Sequence, residues 1–271
     1  MFDNASDMDE VSETFALTSA HPRTAVVIGH PGHELRVHGW LELTKPLVFV
    51  VTDGSGRSNQ SRLASTTKIL DQTGANCGSI YGRLTDLAAY AAILNHDFDV
   101  FVGLARELSA AFVSEQIEYV AGDAFEGYNP VHDVCRLVIN AAVTAAERSS
   151  GQRVVNLVFS LVNHQNHSHE PCTDGVCRRL DDVEFARKMA AANGYTELAG
   201  EVQAAVKQTS MATLRVECLR PVGECKCEQP PFYESYGEKQ VAAGHYQKVL
   251  RYHEHIAPLA AALSRFAEGP V

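Results

Sequence analysis

Two short runs near the start of the chain, residues 24–28 (TAVVI) and 46–51 (PLVFVV), are apolar almost throughout and rich in β-branched side chains. A strand with one wet face alternates between apolar and polar residues. A strand without alternation is covered on both faces, which points to a parallel sheet held between layers of helix. Residues 117–121 and 154–162 repeat the form. Between these runs, helical patterns fall at about 34–43, 58–70, 84–94, 98–112 and 131–147. Strands alternating with helices through residue 162 predict a Rossmann-like, three-layer α/β fold with a mostly parallel sheet.

Beyond residue 162 the character changes. NHQNHSHEPCTDGVC (163–177) is polar and without period, and reads as a loop. Residues 181–193 and 197–207 read as amphipathic helices, 221–238 as turn-rich chain, and 241–266 as helix broken near Pro258. The expected organisation is a flexible, acidic start (1–20) and one α/β domain over 21–271, with a core at 21–162 and a C-terminal extension at 163–271. The chain carries 23 Lys+Arg against 33 Asp+Glu, a formal charge of −10. Such a field repels phosphate backbones and anionic lipid, so neither nucleic acid nor membrane is an expected partner. No apolar run approaches the roughly 20 residues that span a bilayer, and the first residues lack the basic and apolar parts of a signal peptide, so the expected location is cytoplasmic. Seven cysteines, an odd set in a chain this long, are expected to be mostly reduced thiols.

In an open α/β sheet, ligands sit at the carboxyl ends of the strands, so side chains just past a strand's last apolar residue face the site. Three loops qualify: 30–34 after the first run, 52–57 (TDGSGR) after the second, and 123–133 (DAFEGYNPVHD) after the third. The first and third carry histidines. Neutral imidazole is the commonest protein ligand for zinc, and a catalytic zinc keeps three protein ligands with a position open for water or substrate. His30, His33 and His132 are therefore the candidate metal ligands, for Zn2+ or another divalent ion. The plain alternative for each is a hydrogen-bonded loop histidine.

GHPGHE at 29–34 and NPVH at 129–132 resemble the two motifs of the PIG-L/LmbE-like zinc-dependent N-deacetylases, AHPDDE after the first strand and HPDH in a later loop. TDG at 52–54 closes the second run as it often does in that family, and the resemblance runs in matching order from about residue 24 to 143. It implies a Rossmann-like fold and metal ligation by His30, His33 and His132. Against the family pattern, Gly32 stands where the general base is an Asp, and His33 where a second Asp binds zinc. Asn129 stands where the first His of HPDH helps to stabilise or protonate the reacting centre.

Candidates for the missing base are Glu34, whose family counterpart is usually a structural hydrogen-bonding residue, Asp133 and Glu126. A carboxylate near a metal stays ionised and accepts a proton. Asp133 equally suits the first turn of a helix. Asn129 can donate to an oxyanion. Asp53, Ser55 and Arg57 in the second loop, with Arg36, are candidate contacts for hydroxyls or an anionic group of a substrate; exposed surface arginines are the plain reading of the last two. A second cluster, His164, His167, His169, Cys172 and Cys177 with the CxC of Cys225 and Cys227, reads as a structural zinc, a solvated loop of free thiols, or a lid that brings His164 or His167 to the site. In the tail, Tyr246, Val249 and Leu250 repeat at helical spacing. His253 and His255 read as surface residues; in the family it resembles, C-terminal segments help to frame the substrate cleft, and by that resemblance Tyr233 and Tyr236 are candidates to do so.

The expected function is a metal-dependent hydrolase that removes an acyl group from the amide nitrogen of an amino sugar or related small molecule. Two alternatives stand beside it: a binding or scaffold protein on an enzyme's fold, and a different metal-dependent reaction in the same cleft. The expected partner is a sugar-like small molecule, with a homo-oligomer left open.

Overall fold

The structure, a computed structural model, describes residues 22–56, 58–161, 175–223, 225 and 230–269. In chain order its elements are β1 (Thr24–Ile28), a 3-10 turn (His33–Val37) leading into α1 (His38–Thr44), β2 (Leu47–Thr52), α2 (Leu63–Thr73), β3 (Asn76–Leu84), α3 (Asp86–Leu94), α4 (Phe98–Ser114), β4 (Tyr119–Asp123), α5 (Pro130–Ser150) and β5 (Val155–Phe159). There follow β6 (Val176–Arg179), α6 (Asp182–Asn193), α7 (Ala199–Gln208), α8 (Met211–Leu214), β7 (Val216–Pro221), α9 (Phe232–Ala242) and α10 (Ala257–Glu268).

The strands form one sheet in the order β3-β2-β1-β4-β5-β7-β6. β1 to β5 are parallel, β7 is antiparallel to β5, and β6 is antiparallel to β7. The unbroken apolarity of β1 and β2 has its cause here. Ala25, Val27, Phe49 and Val51 point into a core shared with α4, α5 and α10, while Val26, Ile28, Val48 and Val50 point into a second core with α1 and α2. The chain moves outward from β1 through β2 to β3, then returns to lay β4 on β1's other side. The loops after β1 and β4 therefore diverge at a topological switch point, where open α/β sheets hold ligands.

Several expectations are corrected. Helix α2 begins at Leu63, not near residue 58. β3, β7 and α9 lie where no regular element was expected, and residues 176–177, expected in a loop, open β6. Of the tail expected to be helical over 241–266, residues 243–251 are not, so Tyr246, Val249 and Leu250 do not repeat on a helix; a π-helical turn (Tyr252–Ile256) runs into α10, with Pro258 in the first turn of α10. His255 is buried, not surface. Cys177 and Cys218, opposed across β6 and β7, form a disulfide, which overturns the free-thiol expectation for that pair and removes Cys177 from any zinc set. Antiparallel pairing brings together two residues 41 apart in sequence. His164, His167, His169, Cys172, Cys227, Arg57 and residues 1–20 lie outside the described residues. Among the described residues no single helix is long and apolar enough to cross a membrane.

Candidate functional site

His30 and His33 follow β1, and His132 stands in the first turn of α5, which begins after the β4 loop. The fold brings the three imidazoles together, with ring centroids 5.4 Å (His30 to His33), 5.1 Å (His30 to His132) and 4.5 Å (His33 to His132) apart, packed edge to face.

Hydrogen bonds fix which nitrogen carries a proton in His30 and His33. His30 Nδ1 lies 2.8 Å from Thr52 Oγ1 and 3.0 Å from Asp86 Oδ1. The Thr52 hydroxyl donates its own proton to Gly29 O, and a carboxylate only accepts, so Nδ1 is the protonated nitrogen and Nε2 keeps its lone pair. Nε2 is buried with no hydrogen-bond partner. His33 Nδ1 lies 2.9 Å from Asp123 Oδ2, the last residue of β4, and that oxygen also accepts from Gly29 N–H at 2.7 Å. By the same reasoning His33 keeps its lone pair on Nε2. His132 Nδ1 is buried and unpartnered. Burial, followed by the charges of His33 and His30, holds His132 well below the usual histidine range. Burial also lowers His33, against the raising influence of Asp123. Burial would raise Asp86, but the bonds it accepts from His30 Nδ1–H and Gly56 N–H outweigh that and hold it below the usual carboxylate range.

The remaining candidates occupy defined places. Glu34 is fully buried and both its oxygens are engaged: Oε2 accepts from Gly32 N–H at 2.7 Å, and Oε1 from the Thr66 hydroxyl at 2.8 Å. Burial pushes its carboxyl up to about 7. Asp133 Oδ1 accepts from Glu126 N–H and Gly127 N–H, while its Oδ2 is buried without a partner; burial pushes this carboxyl up to about 7 as well. Glu126 Oε2 accepts from Leu161 N–H, and Arg36 donates to Leu161 O. Asn129 caps α5, its Oδ1 accepting from Val131 N–H and from the Tyr90 hydroxyl, which leaves its NH2 group as a donor. Asp53 Oδ1 accepts from Ser55 N–H and Ser55 Oγ–H, so these two residues brace one another.

Gly32 explains part of the motif's form. Its φ is +106°, which a residue with a Cβ rarely adopts, and a Cβ there would meet Leu198 Cδ1 at 2.3 Å. Leu198, from the turn between α6 and α7, therefore fills the volume a side chain at position 32 would occupy.

Asp86 and Asp123, the carboxylates behind two of the imidazoles, were not among the sequence candidates. Asp123 ends an apolar strand run, the same signal that selects His30. Asp86 opens α3 behind a capping Thr85, where a carboxylate reads as a helix-dipole residue, and nothing local ties it to His30.

Among the described residues no group of three or more His, Cys, Asp and Glu side chains is arranged to hold a metal ion. The donor chemistry nevertheless suits one. Two buried nitrogens lack a partner, a condition that costs free energy unless a donor or cation meets them. Imidazoles whose second nitrogen is held by a carboxylate are the usual form of a ligating histidine.

No protein-family model and no curated protein matches the chain. Among solved structures it is similar to the zinc-inhibited form of teicoplanin deacetylase Orf2 (12% identity, 83% of this chain and 95% of that one, TM-score 0.48). It is also similar to a deacetylase–teicoplanin complex (12% identity, 73% and 97%, TM-score 0.49) and to the conserved protein TT1542 from Thermus thermophilus (17% identity, 74% and 93%, TM-score 0.48). Likenesses at this level carry no argument, and the roles of the residues rest on their own geometry.

Proposed function

We propose that this chain is a metal-dependent amide hydrolase that removes an acyl group from an amino sugar or a related small molecule, with Zn2+ as the metal. One observation carries the reading: a cluster of three histidines at the switch point of a parallel sheet in which His30 Nε2 and His132 Nδ1 are buried without partners. His30, His33 and His132 would hold the ion. When bound, it would acidify a water and polarise the amide carbonyl. Asp86 and Asp123 fix the tautomers of His30 and His33, so that lone pairs rather than N–H groups face the centre. Asn129 offers its NH2 group to the developing oxyanion. Of the two fully buried candidate bases, Glu34 has both oxygens engaged while Asp133 keeps Oδ2 open, and this favours Asp133 as the proton carrier. Asp53, Ser55, Arg36 and Arg57 remain the proposed contacts for hydroxyls or an anionic group of the substrate. A second reading, a binding protein on the same fold, draws on the edge-to-face packing of the imidazoles and on Leu198 filling the space beside Gly32.

Elemental analysis of protein purified without a histidine tag tests the choice. The hydrolase reading expects one equivalent of zinc in the wild type, lost in His30→Ala and in His132→Ala and kept in Cys225→Ala, with acetate released from an N-acetylated sugar. At a zinc concentration a hundredfold above Kd, the ion should stabilise the wild type by about 2.7 kcal/mol and raise its Tm, with no shift in the histidine variants. No zinc uptake would leave the binding-protein reading.

A further inference from the structure

The last two strands leave the main sheet partway. β7 pairs with β5 only at its end, Arg220 opposite Val158 and Pro221 opposite Leu157. Its earlier residues pair with β6 alone: Val216 opposite Arg179, Glu217 opposite Arg178, Cys218 opposite Cys177 and Leu219 opposite Val176. The result is a short two-stranded ribbon that overhangs the sheet, and such a ribbon is marginal in water without further support. The Cys177–Cys218 disulfide ties its middle, with Cys177 exposed and Cys218 half-buried.

The neighbours of both half-cystines hold the start of α1. That helix begins without a side-chain cap of its own, so its first N–H groups need acceptors from elsewhere. Glu217, buried beside Cys218, supplies them. Its Oε1 and Oε2 accept from Gly39 N–H at 3.1 and 3.0 Å, Oε2 accepts from Trp40 N–H at 3.2 Å, and Lys188 Nζ donates to Oε1 at 2.9 Å. Arg178, beside Cys177, donates to Gly39 O at 2.6 Å and to Glu184. The approach is close, since a Cβ at position 39 would meet Leu180 Cδ2 at 2.4 Å. α1 continues directly from the 3-10 turn that opens at His33, so direct hydrogen bonds link the ribbon to the helical stretch that carries a histidine of the cluster.

We propose that the Cys177–Cys218 disulfide is a thiol-exchange site, and that its reduction by a dithiol frees the start of α1 and slackens the turn that carries His33. A thiolate of the reductant attacks Cys177 Sγ, on the exposed side of the pair, and the S–S bond breaks with Cys218 leaving as a thiolate. The second thiolate of the reductant attacks the mixed disulfide and releases Cys177. The two cysteines gain two electrons and the two protons of the dithiol, which ends as a cyclic disulfide. The untied ribbon then keeps only its short ladder, and Glu217 and Arg178 lose their fixed place beside Gly39. The opening of α1 needs no metal; its consequence for zinc, a weaker hold by His33, rests on the hydrolase reading above.

The test is residue-resolved amide exchange on the full, metal-free chain with and without dithiothreitol. Gly39 and Trp40 N–H donate directly to Glu217, and Leu35 N–H donates to Gly32 O within the His33 turn, so these three amides report the contact and its reach. Reduction should expose the two thiols and speed all three amides by at least about tenfold, with reoxidation restoring the slow rates. Their exchange in the reduced protein should not respond to low denaturant, the mark of a local opening, while that of Val27 in the core rises steeply. Cys177→Ser/Cys218→Ser should match the reduced protein without any reductant. Glu217→Gln, with one acceptor oxygen for three donors, should speed Gly39 and Trp40 in the oxidised protein while the β6 amides stay slow. A disulfide that the native protein does not surrender, unchanged rates after reduction, or rates that follow denaturant as Val27 does overturn the proposal. Zinc affinity is measured on the double serine variant, because dithiothreitol itself binds the ion, and should fall about tenfold from the wild type. Local opening with no zinc uptake by either protein sustains the exchange site and removes the hydrolase reading; equal zinc affinity in the two proteins overturns the reach to His33.

Discussion

At residue scale, Gly32 carries a conformational demand and a packing one together. Gly32→Ala should destabilise the fold by about 1–3 kcal/mol from the backbone alone, with an added clash against Leu198. In a double-mutant cycle, Gly32→Ala with Leu198→Ala should cost less than the sum of the two single changes, since trimming Leu198 relieves the clash but not the φ of +106°. Chemical denaturation of the four proteins measures this; strict additivity would mean that Leu198 does not seal the space. Asp123 makes a different contribution, because it is fully buried and joins Gly29 N–H to His33. Asp123→Asn keeps the shape and removes the charge that fixes the His33 tautomer. Zinc affinity should fall by about 10–100-fold, read by competition with a chromophoric chelator. The histidines were legible from sequence because the strand-end rule places them, but their orienting partner Asp86 was not. Its link to His30 exists only through the packing of α3 beside the β1 and β2 loops.

At the scale of elements, the parallel strands were legible and the edges were not. β1, β2 and β4 are buried on both faces and so announce themselves as apolar runs, and β5 is buried on one face and half-buried on the other. β3 (NCGSIYGRL), β6 (VCRR) and β7 (VECLRP) lie at or near the sheet's margins, where exposure allows polar residues and removes any period. The β6–β7 pair is held in part by its disulfide. Closing a loop over a sequence separation of 41 is worth about 4 kcal/mol on the chain-entropy model. Cys177→Ser/Cys218→Ser should therefore lower stability by up to about that amount, and amide exchange in β6 should quicken before that in β1. Further in, the fully buried Arg136 of α5 braces β4 to β5, donating to Asp123 O, Asn156 Oδ1 and Leu157 O. Arg136→Lys, which cannot reproduce that fork, should cost about 2–4 kcal/mol in denaturant unfolding.

Across the whole molecule, the C-terminal segment is part of the main core rather than a covering. Ile256, Leu259, Leu263 and Ala267 pack into the same cluster as Val27, Leu108 and Ile139. Leu259→Ala should cost about 2–5 kcal/mol, as an interior leucine does, and unfolding followed by far-ultraviolet and aromatic signals should remain a single coincident transition. A separate early transition would show that α10 unfolds by itself. The in-register pairing of β1 with β4 has a further consequence. Gly29 and Asp123 are 94 residues apart in sequence, and a slip of one residue between their strands would carry His33 about 3.3 Å from its carboxylate and turn alternate side chains to the opposite face. The hydrogen-bonded imidazole proton of His33 is therefore a clock for refolding: its resonance can appear only after the two halves of the chain have met in the correct register.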